Sequence, residues 1–287
     1  MRFANYNRAM AKLLDGRAAA AAIKESIKER ITTLKVPPTL GTILVGDDPA
    51  SISYINGKHR DCAEVGIKSA RIELPANADE IQIKAAVEKF NSDRSCTGFL
   101  VQLPLPHGVL VEKIMSSIDP SKDVDGLHPI NLGRLVLDQD GIKPCTPLAI
   151  IDLLQRNEID LNGRDIAVIG RGTTVGRPLS MLLSSKKINA TVTTLHSKSK
   201  NLSAHTKRAE IVISAVGKPN FLTSEMISSG AIVVDVGLTR TDKGLIGDVA
   251  PGVSEVASWI TPVPGGVGPV TRAMLLQNLM ELASRDS

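Results

Sequence analysis

Ile166-Ala-Val-Ile-Gly-Arg-Gly-Thr-Thr-Val-Gly-Arg-Pro-Leu-Ser-Met-Leu-Leu183 runs from an apolar stretch through a glycine turn into an apolar-periodic stretch. The pattern predicts a strand that empties into the first turn of a helix, the geometry of a dinucleotide phosphate cradle. Gly170 lets the chain turn sharply off the strand. Gly172 lets backbone approach a pyrophosphate, and Gly176 lets the helix lie close on the sheet. The spacing, Gly-x-Gly-x-x-x-Gly, is one residue longer than the usual fingerprint. The cradle begins past the midpoint of the chain, so a preceding domain is free to hold something other than cofactor.

Working outward, 287 residues with 43% hydrophobic and 22% charged side chains describe a globular chain of about two domains. Aromatic residues make up only 2%, too few for the stacking platforms of single-strand nucleic-acid binders, so no nucleic-acid partner is expected. The net charge of +4, with basic and acidic residues interleaved, fits at most an attraction to anionic small molecules. Cys62, Cys96 and Cys145 are odd in number and form no Cys-x-x-Cys pair, which argues for a reducing, cytoplasmic compartment and against a zinc site. The five histidines include no His-x-x-x-His pair, and no metal is expected. No apolar run approaches the roughly 20 residues that span a bilayer, so no membrane partner is expected either. Residues Met1 to Met10 carry Arg2 and Arg8 with no long apolar core behind them, and read as an extension rather than a secretory signal.

The first half alternates helix and strand. Leu13 to Lys35 has a helical pattern, Leu40 to Val45 that of a strand, and Pro49 to Val65 that of a helix capped by Asp48 and ended by Gly66. Strands are predicted at Lys68 to Leu74 and Gly98 to Leu103, with a helix over Asp79 to Asn91 between them. Pro120 to Pro147 is dense in Gly, Pro and Asp and is read as the hinge. Beyond it, strands near Ile166 to Ile169, Ala190 to Leu195, Glu210 to Ser214 and Ala231 to Val236 give a parallel sheet. A rigid loop over Thr261 to Pro269 precedes a final amphipathic helix through Leu282. The expected architecture is therefore two α/β domains around a cleft, the second a Rossmann-like doubly wound parallel sheet. Residues 1–126 form the first, 127–269 the second, and 270–287 a helix packing back on the first.

Four groups of residues carry candidate chemistry, each beside an ordinary reading. After the strand ending at Leu195, His196-Ser-Lys-Ser-Lys200 lacks the acid that an NAD site uses for the ribose 2′-hydroxyl. With Arg171 in the cradle, this favours a 2′-phosphate and hence NADP over NAD; alternatively it is a solvated strand end. Tyr54 and Lys58 are four apart, so both point to one helix face, where burial would lower the lysine pKa toward use in proton transfer. Asp61, three residues past Lys58, offers it an ordinary surface ion pair instead. Gln102 is the polar side chain in the apolar run Gly98-Phe-Leu-Val-Gln-Leu-Pro-Leu-Pro106; its amide either satisfies its own backbone or reads a ligand at a strand end. Lys122-Asp-Val-Asp-Gly126 places two carboxylates in a loop, equally readable as plain turn chemistry.

Taken in order, Tyr54-x-x-x-Lys58, Val-Gln-Leu-Pro-Leu-Pro, Lys-Asp-Val-Asp-Gly, the Gly-Arg cradle and Pro264-Gly-Gly-Val-Gly-Pro269 resemble the bifunctional methylenetetrahydrofolate dehydrogenase/methenyltetrahydrofolate cyclohydrolase family over nearly the whole chain. The resemblance implies oxidation of 5,10-methylenetetrahydrofolate to the methenyl form with NADP, then hydrolysis to 10-formyltetrahydrofolate. One-carbon metabolism and purine biosynthesis are the implied setting, and a homodimer the implied assembly. It makes Lys58 the catalytic lysine, with Tyr54, Gln102 and Asp125 around a tetrahydrofolate derivative. Val101, Leu103 and the loop Pro264, Gly265, Gly266, Val267 and Gly268 also fall to the substrate, and Gly170, Arg171, Gly172, Ser197 and Leu238 to the cofactor. Asp123 is expected to be structural. The sequence departs from the family at Gly172, where serine is usual, leaving backbone in place of a hydroxyl donor, and at Leu238, where isoleucine is usual. Two rivals are a shikimate-type NADP dehydrogenase, which the Pro-Gly-Gly-Val-Gly-Pro loop opposes, and a binding protein that has kept the fold without the chemistry.

Overall fold

A computed structural model describes residues 10–242 and 244–285. Apart from Met10, the extension expected at the start of the chain lies outside the described residues. In chain order the elements are β1 (Lys12–Leu13), α1 (Gly16–Ile31), β2 (Thr39–Val45), α2 (Pro49–Val65), β3 (Lys68–Leu74), α3 (Glu80–Ser92), β4 (Gly98–Val101), α4 (Val111–Met115), α5 (Pro129–Val136) and α6 (Cys145–Arg156). There follow β5 (Asp165–Ile169), α7 (Gly176–Leu183), β6 (Thr191–Leu195), α8 (Leu202–Arg208), β7 (Ile211–Ser214), β8 (Ile232–Asp235), β9 (Thr239–Thr241), β10 (Gly244–Ile246), β11 (Trp259–Ile260) and α9 (Val267–Arg285). Two compact units result, one of residues 18–149 with 269–285, the other of residues 10–17 with 150–268.

The first unit is built on a three-stranded parallel sheet in the order β3-β2-β4. Its central strand is buried without interruption from Leu40 to Val45, as a parallel strand covered on both faces requires. Asp48 accepts the Ser51 N–H at 2.8 Å, Pro49 occupies the first turn of α2, and Gly66 ends it at φ +81°. The sequence boundaries for this helix are therefore reproduced, because each end carries its own stop signal. His59 fastens α2 to the sheet, with Nε2 2.9 Å from the Thr42 hydroxyl and Nδ1 2.7 Å from that of Ser69. α3 opens with a reciprocal capping box between Asp79 and Gln82. Ile43, Ile83, Val87, Phe90, Phe99 and Ile114 form the apolar core.

In the second unit six strands lie parallel in the order β1-β11-β8-β7-β5-β6. The central strands β5, β7 and β8 are nearly continuous apolar runs, again the mark of a sheet covered on both faces. β5, which feeds the cradle, pairs with β6 on one side and β7 on the other. The order reverses there, and α/β sheets carry ligands outside the carboxyl ends of strands at such a reversal.

Several elements differ from expectation for local reasons. α1 starts at Gly16 rather than Leu13 because Lys12 and Leu13 pair with Trp259 and Ile260 as an edge strand. The stretch read as an irregular hinge contains α5, whose Ile130 N–H is accepted by the His128 ring at 3.0 Å and whose first turn holds Pro129. α9 begins at Val267, so Val267 and Gly268 form its first turn instead of the end of a loop; Pro269 is tolerated there because first-turn N–H groups lack helix partners. The compact units also divide elsewhere than after Gly126. Residues 127–149 belong with 18–126, and the hydrogen bonds show why: Asn278 of α9 donates to the carbonyls of Val124 at 3.0 Å and Lys143 at 2.9 Å, tying three segments together. A Cβ on Gly98 would stand 2.9 Å from Leu282, a measure of how closely α9 lies on β4.

Candidate active site

Lys58 lies in the middle of α2 and is only 5% exposed. Its Nζ donates to Oε1 of Gln102 at 3.1 Å and stands 4.9 Å from the centre of the Tyr54 ring. Desolvation pushes the ammonium pKa below the ordinary lysine value, and the Asp125 carboxylate pulls the other way. The ring face of Tyr54 also favours the charged form. The net effect is a pKa below the ordinary lysine value, with burial its largest cause. Burial and then Asp125 push the Tyr54 phenol well above its usual value, so it remains a hydroxyl donor.

Gln102 sits just past β4, where Pro104 ends the ladder by removing an N–H. The backbone reading of this residue is what forms, with a side-chain partner added. Its Nε2 donates to the Leu103 carbonyl at 2.8 Å, which fixes the amide, and its oxygen is thereby aimed at Lys58. Val101 points into the apolar core, and Leu103 packs at its margin.

The ordinary reading of Lys58 is not what forms. Asp61 turns to Arg272 of α9 at 2.6 Å and to Lys24 of α1 at 3.4 Å. Arg272 was invisible as a site residue in the sequence, since it reaches α2 from the far end of the chain. A Cβ on Gly57 would stand 3.3 Å from the Arg272 side chain, so the small residue next to Lys58 makes room for the guanidinium. The positive charge of Arg272 acts with burial in lowering the Lys58 pKa. Arg272→Met is therefore expected to raise that pKa and move the rising limb of any lysine-dependent hydrolysis to higher pH. A pH–rate profile superimposable on that of the parent would contradict this.

The two loop carboxylates have separate fates. Asp123 is buried and accepts the N–H groups of Gly126 at 3.1 Å and His128 at 2.8 Å, plus the Asn131 amide at 2.9 Å; it shapes the turn. Asp125 is half-buried, and its charge acts on Lys58, Tyr54 and the Cys145 thiol, which itself donates to the Val124 carbonyl at 3.6 Å. Cys145, also unsuspected from sequence, is held by burial as a neutral thiol. One cluster in the first unit thus unites Tyr54, Lys58, Gln102 and Asp125. It offers a buried amine, a phenol donor and a carboxylate acceptor.

At the end of β5 in the second unit, Gly170 adopts φ +119°, and a Cβ there would stand 2.3 Å from the Ala215 carbonyl oxygen. A Cβ on Gly176 would stand 2.2 Å from the Gly170 carbonyl oxygen. Gly172 is different: it is exposed, and its missing side chain leaves open space. Two glycines thus serve close backbone packing, and the third faces open space. α7 begins without a side-chain cap, and Arg171 is exposed beside it. Ser197 is exposed in a turn that the Ser199 hydroxyl closes by accepting the His196 N–H at 2.9 Å. No acid occupies His196 to Lys200, so these residues fit an anionic dinucleotide carrying an additional phosphate. Leu238 follows β8 and is 54% exposed.

The loop residues Pro264, Gly265 and Gly266 belong to this second unit, with Pro264 exposed and both glycines buried. Gly265 is at φ +117°, and a Cβ on Gly266 would lie 2.7 Å from the Pro262 carbonyl oxygen. A Cβ on Gly16 would stand 1.7 Å from the Gly266 carbonyl oxygen, so the start of α1 backs the loop directly. Among the described residues no cluster of potential metal ligands occurs, and no helix is long and apolar enough to cross a membrane.

Comparison with known proteins extends these observations. A family model described as the tetrahydrofolate dehydrogenase/cyclohydrolase catalytic domain matches residues 14–125, and one described as the NAD(P)-binding domain of the same proteins matches residues 144–287. The bifunctional methylenetetrahydrofolate dehydrogenase/cyclohydrolase of Campylobacter jejuni is 46% identical, covering 96% of this chain and 100% of that one, with a TM-score of 0.93. The 5,10-methylenetetrahydrofolate dehydrogenase of the silkworm Bombyx mori is 40% identical over 96% and 99% of the two chains, with a TM-score of 0.91. A Trypanosoma brucei dehydrogenase-cyclohydrolase, solved with NADP and an inhibitor, is 36% identical over 97% and 99%, with a TM-score of 0.91.

Proposed function

Since the chain belongs to the tetrahydrofolate dehydrogenase/cyclohydrolase family, we propose that its chemistry runs on the Lys58 cluster and draws on NADP rather than NAD. The protein oxidises 5,10-methylenetetrahydrofolate to the methenyl form and hydrolyses that product to 10-formyltetrahydrofolate. The observation that carries the residue assignment is the buried amine of Lys58, held 3.1 Å from Gln102 and close to Asp125.

NADP held at Gly170, Arg171, Gly172, Ser197 and Leu238 would supply the hydride acceptor of the first step. The nitrogen lone pairs beside the one-carbon bridge expel that hydride and share the resulting cation, so no side chain has to remove a proton. Orientation of the substrate supplies the catalysis. Asp125 serves as acceptor for the pterin N–H groups and Tyr54 as a donor or stacking surface.

The second step moves protons. Water attacks the methenyl carbon, Lys58 in its neutral form takes a proton from it, and the ring C–N bond opens as a proton reaches the leaving nitrogen. The cationic substrate disfavours an ammonium beside it, which adds to the effect of burial. Gln102 keeps the amine in place through one N–H. The Pro264 to Gly268 loop contributes to folate binding in this reading, with Val101 and Leu103 contributing backbone. Gly16→Ala, by forcing the loop to shift, is therefore expected to raise the KM for folate while leaving the NADP dissociation constant near that of the parent. Equal changes in both would count against the loop assignment.

For the cofactor, Gly170, Arg171, Gly172, Ser197 and Leu238 form the bed, and the basic, acid-free turn after β6 favours the 2′-phosphate. The same reading takes the enzyme to be a cytoplasmic homodimer serving purine biosynthesis, the dimer being open to light scattering. The decisive assay follows methenyl formation and decay with NADP and NAD in parallel. A higher kcat/KM with NADP, followed by methenyl decay, is expected; a preference for NAD would overturn the cofactor assignment.

A further inference from the structure

Two buried aspartates lie behind the carboxyl ends of β7 and β8. Asp248 is fully buried and accepts the backbone N–H groups of Val216 at 2.7 Å, Gly217 at 3.3 Å and Lys218 at 2.8 Å, together with the Ser214 hydroxyl at 3.1 Å. Asp235, the last residue of β8, accepts the N–H groups of Gly237 at 3.0 Å, Asp248 at 2.9 Å and Val249 at 3.0 Å. The chain wraps both carboxylates too tightly for any side chain to intervene. A Cβ on Gly237 would stand 2.0 Å from Asp248, and one on Gly247 would stand 1.9 Å from Asp235.

The segments held in this way present large apolar side chains to solvent, Val216 at 37% and Leu238 at 54% exposure. β7 and β8 are neighbours in the sheet, and Ala215, directly before Val216, is the residue whose carbonyl oxygen approaches Gly170 of the cradle. Both side chains stand at the carboxyl ends of neighbouring strands beside the cradle, the end at which α/β sheets carry ligands, and together offer that end an apolar surface.

The geometry points to Asp248, backed by Asp235, as a positioning residue that sets Val216 and Leu238 as an apolar seat for the nicotinamide end of the cofactor. Neither carboxylate touches the cofactor. They act by fixing the backbone of the two segments, each N–H bond to a buried carboxylate being of the charge-assisted, stronger kind. This inference rests on the assignment of the cofactor to the ends of β5 to β8, and the test below separates the two.

Asp248→Asn keeps the shape but turns an amide N–H₂ toward backbone N–H groups. Titration of the intact enzyme with NADPH, read by fluorescence, is expected to show on the order of a tenfold weaker dissociation constant, because a buried hydrogen-bond group left unpaired releases the backbone of both segments from their set position. KM for NADP rises in parallel, while hydrolysis of added methenyltetrahydrofolate stays within about twofold; a purely structural role would depress both activities together. Leu238→Ala serves as the control. If Leu238→Ala weakens NADPH and Asp248→Asn does not, the positioning role is overturned and the cofactor site stands. If neither does, the cofactor assignment itself fails. Should Asp248→Asn not fold, Ser214→Ala removes one partner of Asp248 and is expected to weaken NADPH about threefold; unchanged binding there overturns the proposal.

Discussion

Lys58→Met should lose cyclohydrolase activity by about 10²- to 10⁴-fold, the range that a general acid or base supplies, while binding of folate and NADP persists. Methionine keeps most of the stem that crosses the apolar part of α2 and removes only the amine, so the fold has little reason to respond. The dehydrogenase step, which needs no proton removed, should suffer less than hydrolysis. That split is the informative part: single-turnover hydrolysis of methenyltetrahydrofolate measures one step and NADPH formation the other. Hydrolysis at the parent rate would remove Lys58 from the mechanism. Gln102→Leu is not an equivalent test, because Gln102 positions the amine without holding the proton.

The cradle glycines give the second large effect, and they should not behave alike. Gly170→Ala places a Cβ against the Ala215 carbonyl oxygen at a positive φ, and Gly176→Ala places one against Gly170 itself. Both obstacles are backbone, so relief requires the end of β5 or the start of α7 to move. A loss of about 1–3 kcal/mol of stability is expected for each, with NADP affinity falling more than tenfold as the cradle distorts. Gly172→Ala meets nothing in the protein. It should leave thermal unfolding of the free enzyme unchanged and show its effect only in cofactor titrations. If Gly172→Ala destabilises the free protein as strongly as Gly176→Ala does, the division of labour among the three glycines is mistaken.

These expectations also show where sequence carries information and where it stops. α2 could be delimited in advance because Asp48, Pro49 and Gly66 act within one turn of its ends. α5 could not, because its cap is the ring of His128 and its surroundings are rich in the glycine and proline that usually signal a loop. Tyr54 and Lys58 share a face by helical spacing alone, whereas Gln102 meets them only once β4 has paired beside β2. Arg272 and Cys145 join the cluster from α9 and α6 and carry no local signature. The choice of Arg272 over Lys58 as partner of Asp61 belongs to the same class: helical spacing offered the nearby lysine, and tertiary packing supplied a guanidinium with better geometry. Residues that gather chemistry along one element are legible in a sequence; those delivered by packing become legible only in three dimensions.

The family membership fixes both reactions, but the account of how they occur rests on the state of one amine. The most direct test is an NMR titration of lysine side chains labelled at Cε, with the Lys58 signal assigned by its absence from Lys58→Met. The account predicts a pKa for Lys58 below the ordinary lysine value of 10.5, as its burial requires. A pKa at or above that value would mean that the amine stays charged at working pH, and would contradict its role as the base.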